Sequence, residues 1–302
     1  MVPQIDVGKD GLRCSRLVQG FWRLASWGKD KKEVQGLLGY CLEQGITTFD
    51  HADIYGDYTC EQLFGEALAE SGIERSKIQL VTKCGIKPVS KSRPGRRIAS
   101  YDTRCDHIVA SAEMSLKNLG IDYIDLLLIH RPDPLTDPQE VNQAFVSLRD
   151  SGKVRHFGVS NFLPSQFEML AANLDVPLVT NQIEYSVMHL DAHADGSLDL
   201  CQKLGMPPMA WSPLGGGRLF HEDSAQAKRL RETLTRIGRD LGDASIDQVA
   251  LAWVLAHPAQ FIPVLGTGKK RRIAKAIEAL EMPLSREQWF EIRRASVGQD
   301  VP

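Results

Sequence analysis

The run Ile46-Thr47-Thr48-Phe49-Asp50-His51-Ala52-Asp53-Ile54-Tyr55-Gly56 decides how the chain is read. Ile46 to Phe49 is β-branched and aromatic, the composition of a buried strand. It stops abruptly in Asp50, His51 and Asp53, then reaches Tyr55 and a glycine. A strand that discharges several polar groups at its end aims chemistry at one face of a sheet or barrel. The plainer alternative makes Asp50 and Asp53 caps of the next helix and Tyr55 a half-buried aromatic. The stretch alone leaves both open, and the rest of the chain has to choose.

Outward from it, apolar runs of strand character recur at 17–22, 78–83, 123–130, 154–161, 178–184, 208–212 and 261–266. Between them lie segments of helical pattern at 31–44, 61–71, 106–119, 139–150, 165–172, 198–204, 225–241, 246–256 and 271–280, with a last one at 286–296. Strand and helix alternate at a spacing of roughly 30 residues, which predicts a (β/α)8 TIM barrel. A small β-hairpin over 4–16, turning at Lys9-Asp10-Gly11, precedes the barrel, and the segment 286–296 adds an extra C-terminal helix. A doubly wound sheet binding a dinucleotide would carry Gly-x-Gly-x-x-Gly after its first strand. Trp22-Arg23-Leu24 stands there instead. No linker or composition break divides the chain, so one domain over 1–302 is expected.

The bulk composition limits the partners. With 302 residues, 43% hydrophobic, 25% charged and a net charge of −2, the chain has ample core and no global attraction to nucleic acid or anionic membrane. There is no apolar leader-like segment and no run of membrane-spanning length, so a cytoplasmic protein is expected. Six scattered cysteines without a Cys-x-x-Cys pair read as reduced thiols. No obviously sticky segment stands out, and a monomer is expected.

In a barrel the C-terminal ends of the strands form the active face. Those ends read Gly20-Phe21-Trp22, Asp50 with Tyr55 beyond, Lys83, His130, Ser160-Asn161, Gln182, Trp211-Ser212 and Gly266-Thr267. One polar strand end is ordinary, but the joint pattern is hard to attribute to capping. Asp50, Tyr55, Lys83 and His130 make a coherent proton-donor set. A phenol ionises near pH 10, a neighbouring ammonium lowers that value, and a carboxylate holds the ammonium in place. Such a set suits protonation of a carbonyl oxygen as hydride arrives at its carbon, with His130 polarising or orienting the carbonyl. It needs neither nucleophile nor metal.

At these residues the sequence resembles the aldo-keto reductase superfamily. The likeness runs through Phe-Asp-His-Ala-Asp-Ile-Tyr-Gly at 49–56, Val-Thr-Lys at 81–83 and Tyr-Ile-Asp-Leu-Leu-Leu-Ile-His at 123–130. It continues in Gly-Lys-Val-Arg-His-Phe-Gly-Val-Ser-Asn at 152–161, Asn-Gln-Ile-Glu-Tyr at 181–185 and Trp-Ser-Pro-Leu-Gly-Gly-Gly at 211–217. The resemblance implies a barrel that uses NADPH/NADP+ to reduce aldehydes or ketones to alcohols, with a small-molecule carbonyl substrate. It makes Tyr55 the general acid, Lys83 and Asp50 its tuning pair and His130 the carbonyl-orienting group. Ser160, Asn161 and Gln182 would bind the nicotinamide carboxamide, and Trp211 would stack on the ring, a place where the family more often has tyrosine. Ser212, Pro213, Leu214, Gly215, Gly217 and Arg218 would wrap the pyrophosphate. Gly20, Trp22 and Asp50 join the cofactor face, with Trp22 also walling the substrate pocket.

The last strand leads into Gly266-Thr267-Gly268-Lys269-Lys270-Arg271-Arg272. Four consecutive cations at a helix N-terminus oppose the helix dipole unless an anion sits there. The resemblance assigns Gly266, Thr267, Gly268, Lys269 and Arg272 to the cofactor, with Thr267, Lys269 and Arg272 on an adenosine 2′-phosphate. The chain departs from the family at Gly266, where many members have lysine, and at Lys275 and Ala276, where a Glu-Asn pair is usual. Other readings are a barrel subunit that keeps the cofactor pocket but has little turnover, and an enzyme that prefers NADH or works in the dehydrogenase direction. His189 and His193 have helical metal-ligand spacing but lack the intervening glutamate and a third ligand, so no metal is expected. The basic segment 84–104, with Lys87, Lys91, Arg93, Arg96 and Arg97, reads as a solvated surface insertion or as a lid favouring anionic substrates.

Overall fold

The computed structural model describes residues 1–8 and 11–302. Among the described residues, eight strands close into a parallel barrel whose order around the ring follows the chain. They are Val18–Gly20, Thr48–Asp50, Gln79–Cys84, Ile124–Ile129, Val154–Ser160, Leu178–Glu184, Met209–Trp211 and Ile262–Leu265. The expected fold is therefore the observed one. The expected hairpin is also present, as Gln4–Val7 paired antiparallel with Leu12–Ser15; the predicted turn residues Lys9 and Asp10 lie outside the described residues. No helix among the described residues is long and apolar enough to cross a membrane.

Period-two patterning divides each strand between an inner and an outer core. In Ile124–Ile129, Leu126 and Leu128 face the barrel axis, while Leu127 and Ile129 pack on the helices outside. Val18, Val81, Val179, Met209, Ile262 and Val264 fill the same axis, and Val7, Leu12 and Cys14 of the hairpin join them. The hairpin thus plugs the N-terminal mouth, which leaves the opposite mouth for chemistry. Gly158 shows how full the axis is: a Cβ there would lie 2.7 Å from both Leu128 Cδ2 and the Thr180 carbonyl oxygen.

Simple alternation fails in one strand. The register of Leu178–Glu184 against Val154–Ser160 shifts between Leu178 and Asn181. Such an irregularity moves the residues beyond it to the other face. Val179 and Gln182, three positions apart, therefore both face inward: Val179 joins the axial cluster and Gln182 bonds Asp50.

The helices begin where the sequence offers acceptors. Asp30 and Glu33 form a reciprocal capping box on Lys31–Glu43, Asp137 caps Pro138–Asp150, and Ser285 with Gln288 caps the C-terminal helix Arg286–Val297. Some expected boundaries move. The strand expected at 46–50 begins at Thr48, because the Ile46 N–H bonds the Cys41 carbonyl and the Thr47 N–H bonds the Ser15 hydroxyl. The segment 84–104 is not featureless, since Ile86–Lys87 pairs antiparallel with Ser100–Tyr101.

Two glycines predict opposite responses. Gly65, in the helix Cys60–Ala69, runs so close to Cys105–Leu119 that a Cβ would meet the Asn118 carbonyl oxygen at 2.3 Å. Gly39, inside Lys31–Glu43, has open space around its Cβ direction. In urea unfolding, Gly65→Ala is expected to lose about 1–3 kcal/mol of stability by overpacking. Gly39→Ala is expected to gain about 0.5–1 kcal/mol through its helix propensity.

Candidate active site

At the open mouth the strand ends bring Asp50, Tyr55, Lys83 and His130 together. Lys83 is fully buried. Its ammonium donates to both Asp50 carboxylate oxygens (2.7 and 2.8 Å), to the His51 carbonyl (2.7 Å) and to the Tyr55 hydroxyl (3.3 Å). Burial works against that charge, but Asp50 and Tyr55 outweigh it, and the net direction is upward. Lys83 is therefore a fixed cation at neutral pH.

The Tyr55 phenol responds differently from the expectation. Burial pushes its pKa up, Lys83 pulls it down and Asp50 pushes it up again, with a net rise. The adjoining ammonium offsets part of the desolvation but does not make the phenol more acidic than usual. At neutral pH the hydroxyl keeps its proton and remains able to donate it. His130 lies edge-on to the Tyr55 ring, with centroids 5.9 Å apart. Burial, then Lys83 and Arg131, hold its pKa well below the ordinary value, so the imidazole is neutral.

A hydrogen-bonded chain ties the remaining strand ends to this group. The Trp211 indole N–H donates to Asn161 Oδ1 (2.8 Å), and the Asn161 amide donates to Ser160 Oγ (2.8 Å). Ser160 Oγ donates to the Gln182 carbonyl (2.8 Å), and the Gln182 amide donates to Asp50 (2.8 Å). Asn161 and Ser212 both hold left-handed backbone (φ 61° and 51°), as the chain turns sharply off the strand ends.

These groups border a cavity of about 740 Å³ that continues past Ser212, Pro213, Leu214, Gly217, Gly266 and Thr267 to Arg272. Gly20, Trp22, Asp50, Tyr55, His130, Ser160, Asn161, Gln182 and Trp211 also line it. Five expected residues do not. Lys83 lies behind Asp50 and Tyr55, while Gly215 is buried where a Cβ would meet Met188 at 2.9 Å. Arg218 turns back to the Gly215 carbonyl and Glu184, and Gly268 gives room to Trp27. Lys269 stands at the start of the helix Lys270–Glu278, its N–H on the Thr267 hydroxyl. At the far end Ala276 lines the cavity, whereas Lys275 bonds the Ser245 hydroxyl at 2.9 Å.

Other assignments change with the fold. His51 does not reach the cavity: its ring is fully buried and stacked on Phe21. Asp53 is half-buried with its Oδ1 shielded from solvent, and desolvation followed by Glu61 raises its pKa well above the usual carboxylate range. His193 bonds the Tyr185 hydroxyl at 2.9 Å, and His189 approaches Glu184 and Asp191 instead. No residue of 84–104 lines the cavity. Sequence reasoning missed Arg23 and Arg131, which line the cavity and rest on Trp22 and Trp211. Each directly follows a strand-end residue, the only signal the sequence offered.

A parallel barrel with an ammonium-anchored phenol at its C-terminal mouth defines a class of oxidoreductase. The family model "Aldo/keto reductase family" matches residues 16–297, and the chain belongs to that family. It is 51% identical to the uncharacterized oxidoreductase YcsN of Bacillus subtilis (strain 168), over 99% of each chain. It is 45% identical to a 6-dehydroglucose reductase of Agrobacterium fabrum (strain C58 / ATCC 33970), over 97% of each. Among solved structures it superimposes on the thermostable aldo-keto reductase Tm1743, crystallised with the inhibitor epalrestat. That match has a TM-score of 0.82 at 28% identity and covers 97% of this chain and 99% of that one.

His51 gives a pH prediction. Burial, then Lys83, lowers its pKa from 6.5 to about 3. The unfolded chain takes up this proton near pH 6.5, so between those values the unfolded state binds more protons and stability falls with falling pH. Replacing His51 by leucine is expected to reduce that slope by about 1.4 kcal/mol per pH unit. Urea unfolding of both proteins between about pH 4 and 6 checks it.

Proposed function

We propose that the protein is an NADPH-dependent reductase of aldehydes or ketones, with Tyr55 as the general acid. The observation that carries this reading is the Tyr55 hydroxyl, 3.3 Å from a buried ammonium and bordering the same cavity as the Ser160–Asn161–Gln182 chain and Arg272. The donor set fits the cofactor. Amide and hydroxyl groups converge at one end, a turn with three positive-φ glycines (Gly215, Gly216, Gly217) lies in the middle, and a guanidinium closes the other end. When bound there, NADPH supplies a hydride.

Everything else falls to the chain. Tyr55 donates its proton to the carbonyl oxygen, and Lys83, already charged, stabilises the phenolate left behind. Asp50 holds Lys83 in place, and neutral His130 orients the carbonyl. Ser160, Asn161 and Gln182 hold the carboxamide, with Trp211 against the ring. Arg272, with Lys269 and Thr267 beside it, takes the 2′-phosphate. The phenol held on an ammonium favours this reading over that of a barrel subunit with little turnover. Six unpaired cysteines suit a reducing cytosolic setting. The name of the Agrobacterium relative makes 6-dehydroglucose a first candidate in a carbonyl screen.

Tyr55→Phe is expected to lower kcat by at least about a hundredfold while NADPH affinity, followed by fluorescence quenching, stays within a few-fold. Reduction at the wild-type rate would remove the proton-donor role. Arg272→Ala is expected to weaken NADPH binding by roughly tenfold or more and leave NADH binding nearly unchanged, since only NADPH carries the extra phosphate. Equal losses for both cofactors would exclude the 2′-phosphate assignment.

A further inference from the structure

Directly after Tyr55 the backbone turns left-handed for three residues. Gly56, Asp57 and Tyr58 have φ of 60°, 57° and 69°. Gly56 has no alternative, because a Cβ would fall 2.6 Å from Cys60 Sγ and 2.9 Å from Ala25 Cβ. Asp57 and Tyr58 carry side chains in a region that L residues enter at a cost, the larger for tyrosine. Such a conformation persists when its surroundings over-determine it.

Those surroundings come from the basic insertion. The Ser90 hydroxyl donates to Asp57 Oδ1, and the Ser92 N–H donates to Asp57 Oδ2 at 3.3 Å. Ser92 Oγ lies 3.0 Å from both Asp57 Oδ2 and the Asp57 carbonyl oxygen. Arg96 donates to the Tyr58 hydroxyl, and the Arg93 and Arg96 guanidiniums sit 5.0 and 5.5 Å from the Tyr58 ring centre. The insertion grows out of the strand that carries Lys83: Gln79–Cys84 leads through Gly85 into the ribbon Ile86–Lys87 with Ser100–Tyr101. One continuous segment therefore supplies the ammonium and grips the turn that bears the phenol. The contact between the two, at 3.3 Å, is the longest of the ammonium's four hydrogen bonds.

We propose that the insertion is a latch whose seryl and guanidinium contacts on Asp57 and Tyr58 set the position of Tyr55 relative to Lys83. Asp57, Tyr58, Ser90, Ser92 and Arg96 are then positioning residues. Arg93 and Arg96 of the insertion serve the turn through Tyr58. This inference rests on Tyr55 being the proton donor.

The test compares the 302-residue protein with Ser90→Ala/Ser92→Ala, which removes the hydroxyl contacts to Asp57 at partly or fully exposed positions and leaves only the residue 92 N–H. With an aldehyde substrate and NADPH, kcat is expected to fall about tenfold, while KM and the NADPH Kd stay within about twofold. Amide hydrogen exchange over residues 55–59 is expected to accelerate at least about tenfold, with the rest of the barrel unchanged. Asp57→Asn, which keeps an acceptor and tolerates left-handed backbone, is expected to retain most of kcat, and Asp57→Ala to behave like the double serine variant. Unchanged kcat and unchanged exchange in the serine variant overturn the latch. So does equal loss in Asp57→Asn and Asp57→Ala. A wild-type protein that reduces no carbonyl in a broad panel overturns the catalytic reading instead, and the exchange comparison still decides whether the insertion holds the turn.

Discussion

The structure depends on one buried charge. An ammonium with no exposure to solvent, as on Lys83, costs several kcal/mol to desolvate unless its protons are satisfied at close range. Asp50, the His51 carbonyl and Tyr55 satisfy them from a single strand end and the turn after it, beside the paired strand that carries Lys83. Asp50 in turn is shared with Gln182 from the far side of the ring. Through Asp50 the cation is thus tied to a strand that does not pair with either of theirs in the hydrogen-bond ladder, and the open mouth of the barrel is organised around it.

The same charge sets the electrostatic character of the mouth. Burial and Lys83 both work against protonation of His130, which stays neutral beside Tyr55. For the phenol the two influences oppose each other: desolvation raises its pKa, the ammonium restrains the rise, and the proton stays on oxygen. A protonated phenol, a neutral imidazole and a fixed cation form a donor system with little need to reorganise when charge develops on an adjacent oxygen. Arg23 and Arg131, each resting on an indole, add positive potential at the rim. The barrel below is apolar along its axis and plugged by the hairpin.

Much of this was legible before any coordinates. The alternation of strand and helix patterns and the polar residue closing nearly every strand were enough to place Asp50, Lys83, His130, Ser160, Asn161 and Gln182 at one mouth. The illegible parts have particular causes. His51 and Asp53 share the polar run with Asp50, but the chain leaves the strand there, and alternation no longer says which way a side chain points. Gly215 and Gly268 stand in glycine-rich turns that resemble ligand cradles, yet the space left by their missing Cβ is taken by Met188 and Trp27. Gln182 faces inward only because the register shifts upstream, a feature with no sequence mark of its own.

Local sequence determined the elements, their order and the chemistry each strand end carries, since period and capping act over a few residues. Tertiary structure decided which of those groups share a cavity, which bury themselves against aromatic rings, and where the balance between desolvation and charge leaves a proton. It also turned a basic stretch, readable as solvated surface, into a clasp on the turn beyond Tyr55. Those outcomes depend on groups far apart along the chain meeting within a few ångströms, and the electrostatic energy of such encounters falls off too steeply with distance for one-dimensional order to specify it.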